Sequence, residues 1–164
     1  MFIGLRLYYI SNYRYPEPKN RVYADQVVRF CYHYHVIDSS IYRAYDIRGR
    51  YPKEFNEQTA TIIASALHKR FFNNGPILIA HDARKSSSVL YKAVIKGLKG
   101  RKLIKAGAAT TPMFYFLVNS HKAGGGIMVT ASHNPPEWNG LKVVGKKAFP
   151  ISGFDIKKIV QDEK

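Results

Sequence analysis

From Ser39 onward, short apolar runs of strand type alternate with longer amphipathic stretches of helical spacing, the pattern of a layered α/β domain. Ile41 to Ile47 alternates as a strand and ends at Arg48-Gly49. Asn56 is placed to cap a helix whose apolar positions Ile62, Ile63, Ala66 and Leu67 recur at helical spacing, and Asn73-Asn74-Gly75-Pro76 stops it. Ile77 to Ala80 is a continuous apolar run of the buried-strand type that leads to His81-Asp82. Ser86 to Leu98 predicts a second helix with Leu90, Val94 and Leu98 on one face. Lys102 to Ala106 predicts the next strand. Thr111-Pro112 opens a third helix, with proline in the first turn, where its missing N–H does no harm. Gly124-Gly125-Gly126 reads as a flexible entry to the strand Ile127 to Thr130, because no Gly-Lys-Ser/Thr follows to make it a phosphate cradle.

The segment from Ile127 to Val144 predicts strand, tight loop and returning strand, with Pro135-Pro136 and then Asn139-Gly140 turning the chain back. Ser132 then stands at the mouth of a buried strand, rigidly held but open to a ligand, which suits a nucleophile. Alternation along the returning strand puts Leu141 and Val143 on one face and Lys142 on the other, where it can come back toward Ser132. A serine beside a proton carrier and a positive charge is what phosphoryl transfer requires. Taken alone, these residues leave a plain loop serine and a solvated strand lysine as open alternatives.

Residues 1–38 differ in texture. They hold more than half of the tyrosines, a proline-broken stretch at Tyr13 to Pro18 and only one short strand candidate, Val27 to Val36. No fold follows from them, and they are expected to be an extension, disordered or non-native; residues 39–164 form the domain. Cys31 is the only cysteine and has no partner for an internal disulfide, which fits a reducing cytoplasm. No apolar run approaches the length of a membrane span, and the first residues lack the form of an export signal, so neither export nor a membrane anchor is expected. The net charge of +15 points to an anionic partner without choosing between a polyanion and a phosphorylated small molecule. Lys and Arg are scattered from Arg6 to Lys164 rather than gathered in a stripe, which speaks against nucleic acid.

Four motifs now converge. The serine loop, Tyr45-Asp46-Ile47-Arg48-Gly49, Asp82-Ala83-Arg84-Lys85-Ser86-Ser87 and Thr110-Thr111-Pro112 resemble, in order and spacing, the first domain of the phosphoglucomutase and phosphomannomutase family, the α-D-phosphohexomutases. The resemblance runs from about Ser39 to the C-terminus. It implies a three-layer α/β/α domain with a mixed sheet and a phosphoserine at Ser132. It also implies interconversion of hexose 1-phosphate and hexose 6-phosphate through a bound hexose 1,6-bisphosphate. Within that reading Lys142 is the general acid or base, His133 lies beside the sugar, Tyr45 and Arg48 face the cleft, and Arg48 is the guanidinium partner of the phosphoserine. One Mg²⁺ would bind the Ser132 phosphate together with an Asp-rich loop of a second domain. No such loop occurs here, and Asp155 and Asp162 stand isolated in a lysine-rich, helix-like tail. Domains II to IV of the family are absent, so the chain alone is expected to be inactive unless the missing domains join it, in the same chain or a separate one. Glucose and mannose phosphates are the leading substrates on this resemblance.

Two departures stand out: His81 replaces an arginine common before the central aspartate, and Trp138 replaces a commoner tyrosine. Asp82 with Arg84 reads as a structural pair at the helix start rather than a catalytic one. His33, His35, His68 and His121 form no metal-ligand pattern and read as surface residues. Two other function classes compete. A basic nucleic-acid-binding protein rests on the charge and the tyrosine-rich N-terminus. A serine hydrolase rests only on Ser132 next to His133, without a Gly-x-Ser-x-Gly elbow.

Overall fold

A computed structural model describes residues 37–72 and 74–162. The proposed N-terminal extension as far as Val36, with its strand candidate Val27 to Val36, Cys31, His33 and His35, lies outside the described residues, as does Asn73. Of the extension only Ile37 and Asp38 are described, Ile37 packing on the core and Asp38 capping the 3-10 turn. After a turn of 3-10 helix at Ser39–Ile41 come β1 (Ile47–Arg50), α1 (Glu57–Arg70), β2 (Ile77–His81), α2 (Ser87–Gly97), β3 (Leu103–Ala108), α3 (Thr111–Ser120), β4 (Gly125–Val129), β5 (Trp138–Val144), β6 (Pro150–Ile151) and α4 (Gly153–Gln161). The sheet runs in the order β1-β5-β4-β2-β3, with β6 also paired to β5. β2 is parallel to β3 and β4, whereas β5 is antiparallel to β4, β1 and β6. This is the mixed sheet that the family resemblance implies.

Strand alternation decides which residues meet which helices. Ile77, Ile79, Ile127, Val129, Leu141 and Val143 face a core shared with Ile63 and Leu67 of α1, Leu90 and Val94 of α2, and Ile156 of α4. Leu78, Ala80, Met128 and Val144 face the other way, onto Phe114 and Val118 of α3. Helices therefore cover both faces, and Leu90, Val94 and Leu98 are all fully buried as their spacing predicts. The predicted Asn56 cap forms, its Oδ1 accepting from the Thr59 amide at 3.0 Å, and the structure adds a second cap, Thr110 Oγ1, which accepts from the Met113 amide at the start of α3.

Three local readings are corrected. The alternation of Ile41 to Ile47 is a tight reversal rather than a strand: Tyr42 and Ile47 bridge each other, and the Arg43 amide donates to the Asp46 carbonyl at 2.9 Å. β1 thus begins at Ile47, where the strand was expected to end. Arg43, Ala44 and Tyr45 project into solvent because they form the reversal itself. The glycine run is not a flexible entry. Gly125 and Gly126 are buried strand residues, and a Cβ on Gly126 would lie 2.8 Å from the Phe114 ring and 2.9 Å from the Leu78 carbonyl. Asn139-Gly140 is not a turn either; both residues sit within β5, opposite Gly49 and Arg48 of β1. A Cβ at Gly140 would collide with the Ile47 carbonyl, so glycine here permits close strand approach.

Two outcomes follow from this packing. Gly126→Ala is expected to cost about 2 kcal/mol by overpacking, read from urea unfolding; an unchanged midpoint would mean that the Phe114 ring gives way freely. Burial of Tyr42 pushes its phenol from 10.0 up to about 12. The folded form therefore favours the protonated phenol, so this contribution is intact below pH 10 and is lost as pH rises through 12. Tyr42→Phe should accordingly make alkaline unfolding shallower over that window, as followed by circular dichroism.

Candidate active site

The candidate residues gather at one end of the sheet because β4 and β5 are antiparallel and their connection, residues 130–137, closes over that end. Thr130 is still paired, its amide donating to the Gly140 carbonyl at 3.0 Å. Thr130 and Ala131 are buried, and Ser132 is the first exposed residue. Ser132 has φ +54, in the left-handed region that residues with a Cβ rarely occupy. That conformation costs on the order of 1–2 kcal/mol and persists only where surrounding contacts impose it. One such contact is local: the Ser132 amide donates to Thr130 Oγ1 at 2.9 Å. The Ser132 hydroxyl has no hydrogen-bond partner among the described residues. In particular it makes no hydrogen bond to His133, which is exposed, so the arrangement required of a serine hydrolase is not formed.

Lys142 and Arg48 come together through a residue the sequence reading did not single out. The Asp46 side chain, 6% exposed, is forked by Arg48, with Nη2 to Oδ2 at 2.7 Å and Nε at 3.0 Å from both oxygens, and also takes Lys142 Nζ at 3.3 Å. The β1–β5 register explains the meeting. Ile47 faces Leu141, so Asp46 falls opposite Lys142 one step further along. Asp46 and Arg48 are two apart along extended chain and share a face. The remaining guanidinium arm of Arg48 donates from Nη1 to Asn134 Oδ1 at 2.5 Å, which ties β1 to the serine loop. Two cations on one carboxylate leave a net positive charge beside that loop, as an anionic ligand requires.

The other predicted positions divide. Tyr45 is 78% exposed on the reversal before β1, and His133 is exposed beside Ser132; neither makes a hydrogen bond to the Asp46 cluster. Asp82 and Arg84 pair at 3.1 Å, and Asp82 Oδ1 accepts from Ser87 Oγ at 2.5 Å at the start of α2, the structural role read from the sequence. Arg84 also reaches the serine loop, bonding the carbonyls of Ser132 and Asn134 at 2.7 Å, a contact local sequence could not show. Asn139, fully buried, donates to Ser86 Oγ at 2.8 Å and Ser87 Oγ at 3.0 Å, joining β5 to α2. His81 does not disturb the ion pair: its Nδ1 lies 2.7 Å from the Asp82 carbonyl oxygen, and its ring packs edge-on to Tyr91. Trp138 stacks under Arg50, with the guanidinium carbon 5.7 Å from the ring centre.

The described residues do not fit a divalent cation. Among the described residues no three acidic, histidine or cysteine side chains converge. Asp46 is occupied by two cations, and Asp82 by Arg84, Ser87 and Thr130. Asp155 is spent on its helix start, where a hydrogen bond from Ser152 and then the Lys158 ammonium hold its carboxyl below the usual range.

Comparison with known proteins identifies the family to which the domain belongs. Residues 39–163 match the family model for the phosphoglucomutase/phosphomannomutase α/β/α domain I. A phosphohexose mutase of Xanthomonas campestris is 46% identical over 113 residues, covering 68% of this chain and 25% of the relative. A phosphomannomutase of Methanocaldococcus jannaschii is 40% identical over 119 residues, 72% of this chain and 26% of the relative. A phosphoglucosamine mutase of Prochlorococcus marinus is 42% identical over 114 residues, 68% and 25% respectively. A crystal structure of a phosphoglucomutase/phosphomannomutase family protein from Burkholderia thailandensis superposes with TM-score 0.69 at 30% identity, covering 77% of this chain and 31% of that one. The chain belongs to the phosphoglucomutase/phosphomannomutase family and carries its α/β/α domain I. It spans about a quarter of the length of the curated relatives it matches. Among the described residues no helix is long and apolar enough to cross a membrane.

The Asp46 node is directly testable. Asp46→Ala leaves two cations facing each other without their anion and should destabilise the chain by about 3 kcal/mol in urea unfolding, the lower end of the range for breaking a buried pair, because both cations keep some access to water.

Proposed function

We propose that Ser132 is the phosphate-carrying nucleophile of a phosphohexomutase that interconverts hexose 1-phosphate and hexose 6-phosphate, with this chain supplying the serine and its immediate surroundings. The observation that carries the reading is the exposed, left-handed Ser132 at the end of β4, beside the Asp46-Arg48-Lys142 cluster. In the transfer, the bond between phosphorus and Ser132 Oγ breaks as a bond to a sugar hydroxyl forms. The hydroxyl's proton passes to a base and a proton ends on the serine oxygen. Lys142 is the proton carrier within the cluster, and its pairing with Asp46 fixes where its nitrogen lies. Arg48, linked to the loop through Asn134, is the guanidinium partner of the phosphoserine in this reading. His133 and Tyr45, both exposed, remain available to a sugar arriving from solvent. The chain's +15 charge favours encounter with an anionic sugar phosphate.

A hexose 1,6-bisphosphate would load Ser132 and arise again as the intermediate. Mg²⁺ would be held by the serine phosphate and by residues outside this chain, since Asp46, Asp82 and Asp155 are committed elsewhere. The named relatives include phosphohexose, phosphomannose and phosphoglucosamine mutases at 40 to 46% identity, which supports the shared hexose phosphate chemistry and leaves the sugar open. Such an enzyme, with its remaining domains in the same or a separate chain, would work on soluble metabolites in the cytoplasm.

The test joins residues 39–162 to the remainder of the Xanthomonas relative. The hybrid should turn over hexose 1-phosphate only when bisphosphate is supplied, and label from radioactive bisphosphate should appear on Ser132. Ser132→Ala should lower turnover by a factor on the order of 10³ or more, and Lys142→Ala by roughly 10²-fold or more. Unchanged turnover in Ser132→Ala would remove the serine from the mechanism.

A further inference from the structure

Arg84 is saturated. Its five N–H donors meet five oxygen acceptors: Nε to Asp82 Oδ2 at 3.1 Å, Nη1 to the carbonyls of Pro135 at 2.7 Å and Trp138 at 3.1 Å, and Nη2 to the carbonyls of Ser132 and Asn134, both at 2.7 Å. Three carbonyl dipoles of the serine loop and that of Trp138, the first residue of β5, therefore converge on a single cation. Without that cation they would point their negative ends at one another, so the loop cannot hold this shape by itself. The guanidinium is in turn fixed from behind. Asp82 Oδ1 accepts from the Arg84 amide at 3.1 Å and from Ser87 Oγ, while Oδ2 accepts from Thr130 Oγ1 at 2.7 Å. Thr130 Oγ1 then receives the Ser132 amide, which closes a ring from Asp82 through both ends of the serine's backbone.

We propose that Arg84 is a positioning residue: it imposes the loop conformation that presents Ser132, and does so before any phosphate or sugar is present. The functional meaning of this inference rests on the reading of Ser132 as nucleophile; the physical claim about the loop does not. Arg84 differs from Arg48 in kind. Arg48 is paired with a side chain and an amide side chain near the loop, whereas every donor of Arg84 is committed to the loop backbone or to Asp82, leaving none to offer a ligand. Lysine cannot replace it. An ammonium has three donors around a point and cannot span four carbonyls and a carboxylate in one plane.

The full chain carries its own reporter, because Trp138 is its only tryptophan and its carbonyl is one of the four acceptors. Arg84→Lys keeps a positive charge near Asp82, and Arg84→Met removes it. In Arg84→Lys, the Ser132 amide hydrogen should exchange faster by a factor on the order of ten, the restraint of about one hydrogen bond. Quenching of Trp138 fluorescence by acrylamide should rise with it. Core amides such as those of Ile79 and Ile127 should keep their wild-type exchange rates, which a general loss of stability would not allow. Arg84→Met should show the same pattern more strongly, and if it does not fold, Arg84→Lys decides alone. The proposal is overturned if the Ser132 amide and Trp138 are unchanged in Arg84→Lys, or if they change only in step with the core amides. None of these readouts needs turnover. A rigid, Arg84-dependent loop in a chain whose hybrid is inactive would retire the nucleophile and leave the clamp standing.

Discussion

Asp82 leaves the end of β2 where three segments must meet: the start of α2, the end of β4 and the serine loop. Removing a carboxylate from water is costly unless hydrogen bonds replace the lost hydration, and here the Arg84 amide and Nε, Ser87 Oγ and Thr130 Oγ1 all supply them. Each partner belongs to a segment that would otherwise be free to shift. The parallel β2–β4 pairing brings the ends of these strands side by side, with His81 opposite Val129 and the Asp82 amide donating to the Val129 carbonyl at 3.0 Å. The carboxylate is thus aimed by the sheet and satisfied by the loop. Neither pairing is sufficient alone, since the strands set the spacing and the side chain sets the turn.

The two arginine–aspartate pairs divide the electrostatic work. The Asp82-Arg84 pair is neutral overall and spends its capacity on backbone carbonyls and the Ser87 and Thr130 hydroxyls, which makes it a framework. The Asp46 cluster carries one more positive than negative charge and joins side chain to side chain. A doubly charged phosphate arriving at Ser132 would meet that surplus without displacing anything from the framework. Separating the shaping of the loop from the attraction of the ligand lets one change while the other persists.

Much of this was legible in the chain itself. Helical spacing at Leu90, Val94 and Leu98, the capping Asn56 and the apolar run Ile77 to Ala80 each report a local preference that the fold obeys, so the layered architecture follows from them. The errors have two causes. At Gly126 and Gly140 what matters is a neighbour from another part of the chain, the Phe114 ring and the Ile47 carbonyl, whereas at Ile47 it is a tight local reversal closed by the Tyr42 bridge. Glycine looks like a turn or a hinge in sequence, and only the approach of a second backbone reveals it as a packing residue. The site shows the same division. Ser132, Arg48 and Lys142 stand in recognisable motifs, while Asp46 gains its role from a lysine far along the chain. One signal for it was present: an aspartate two positions before an arginine in extended chain lies on the same face.

The connectivity of β1 has a kinetic consequence. This strand lies at the sheet edge and pairs with β5, so Ile47 must find Leu141, with nearly the whole domain between them. Contacts of such long range are slow to form, because the closure of a long loop is paid before the pairing repays it. On a ribosome, β1 would emerge early and wait unpaired until β5 followed. Arg48 and Asp46 would travel with it, so the positive cluster beside the serine would be assembled among the last native features and would vanish among the first when the edge strand detaches.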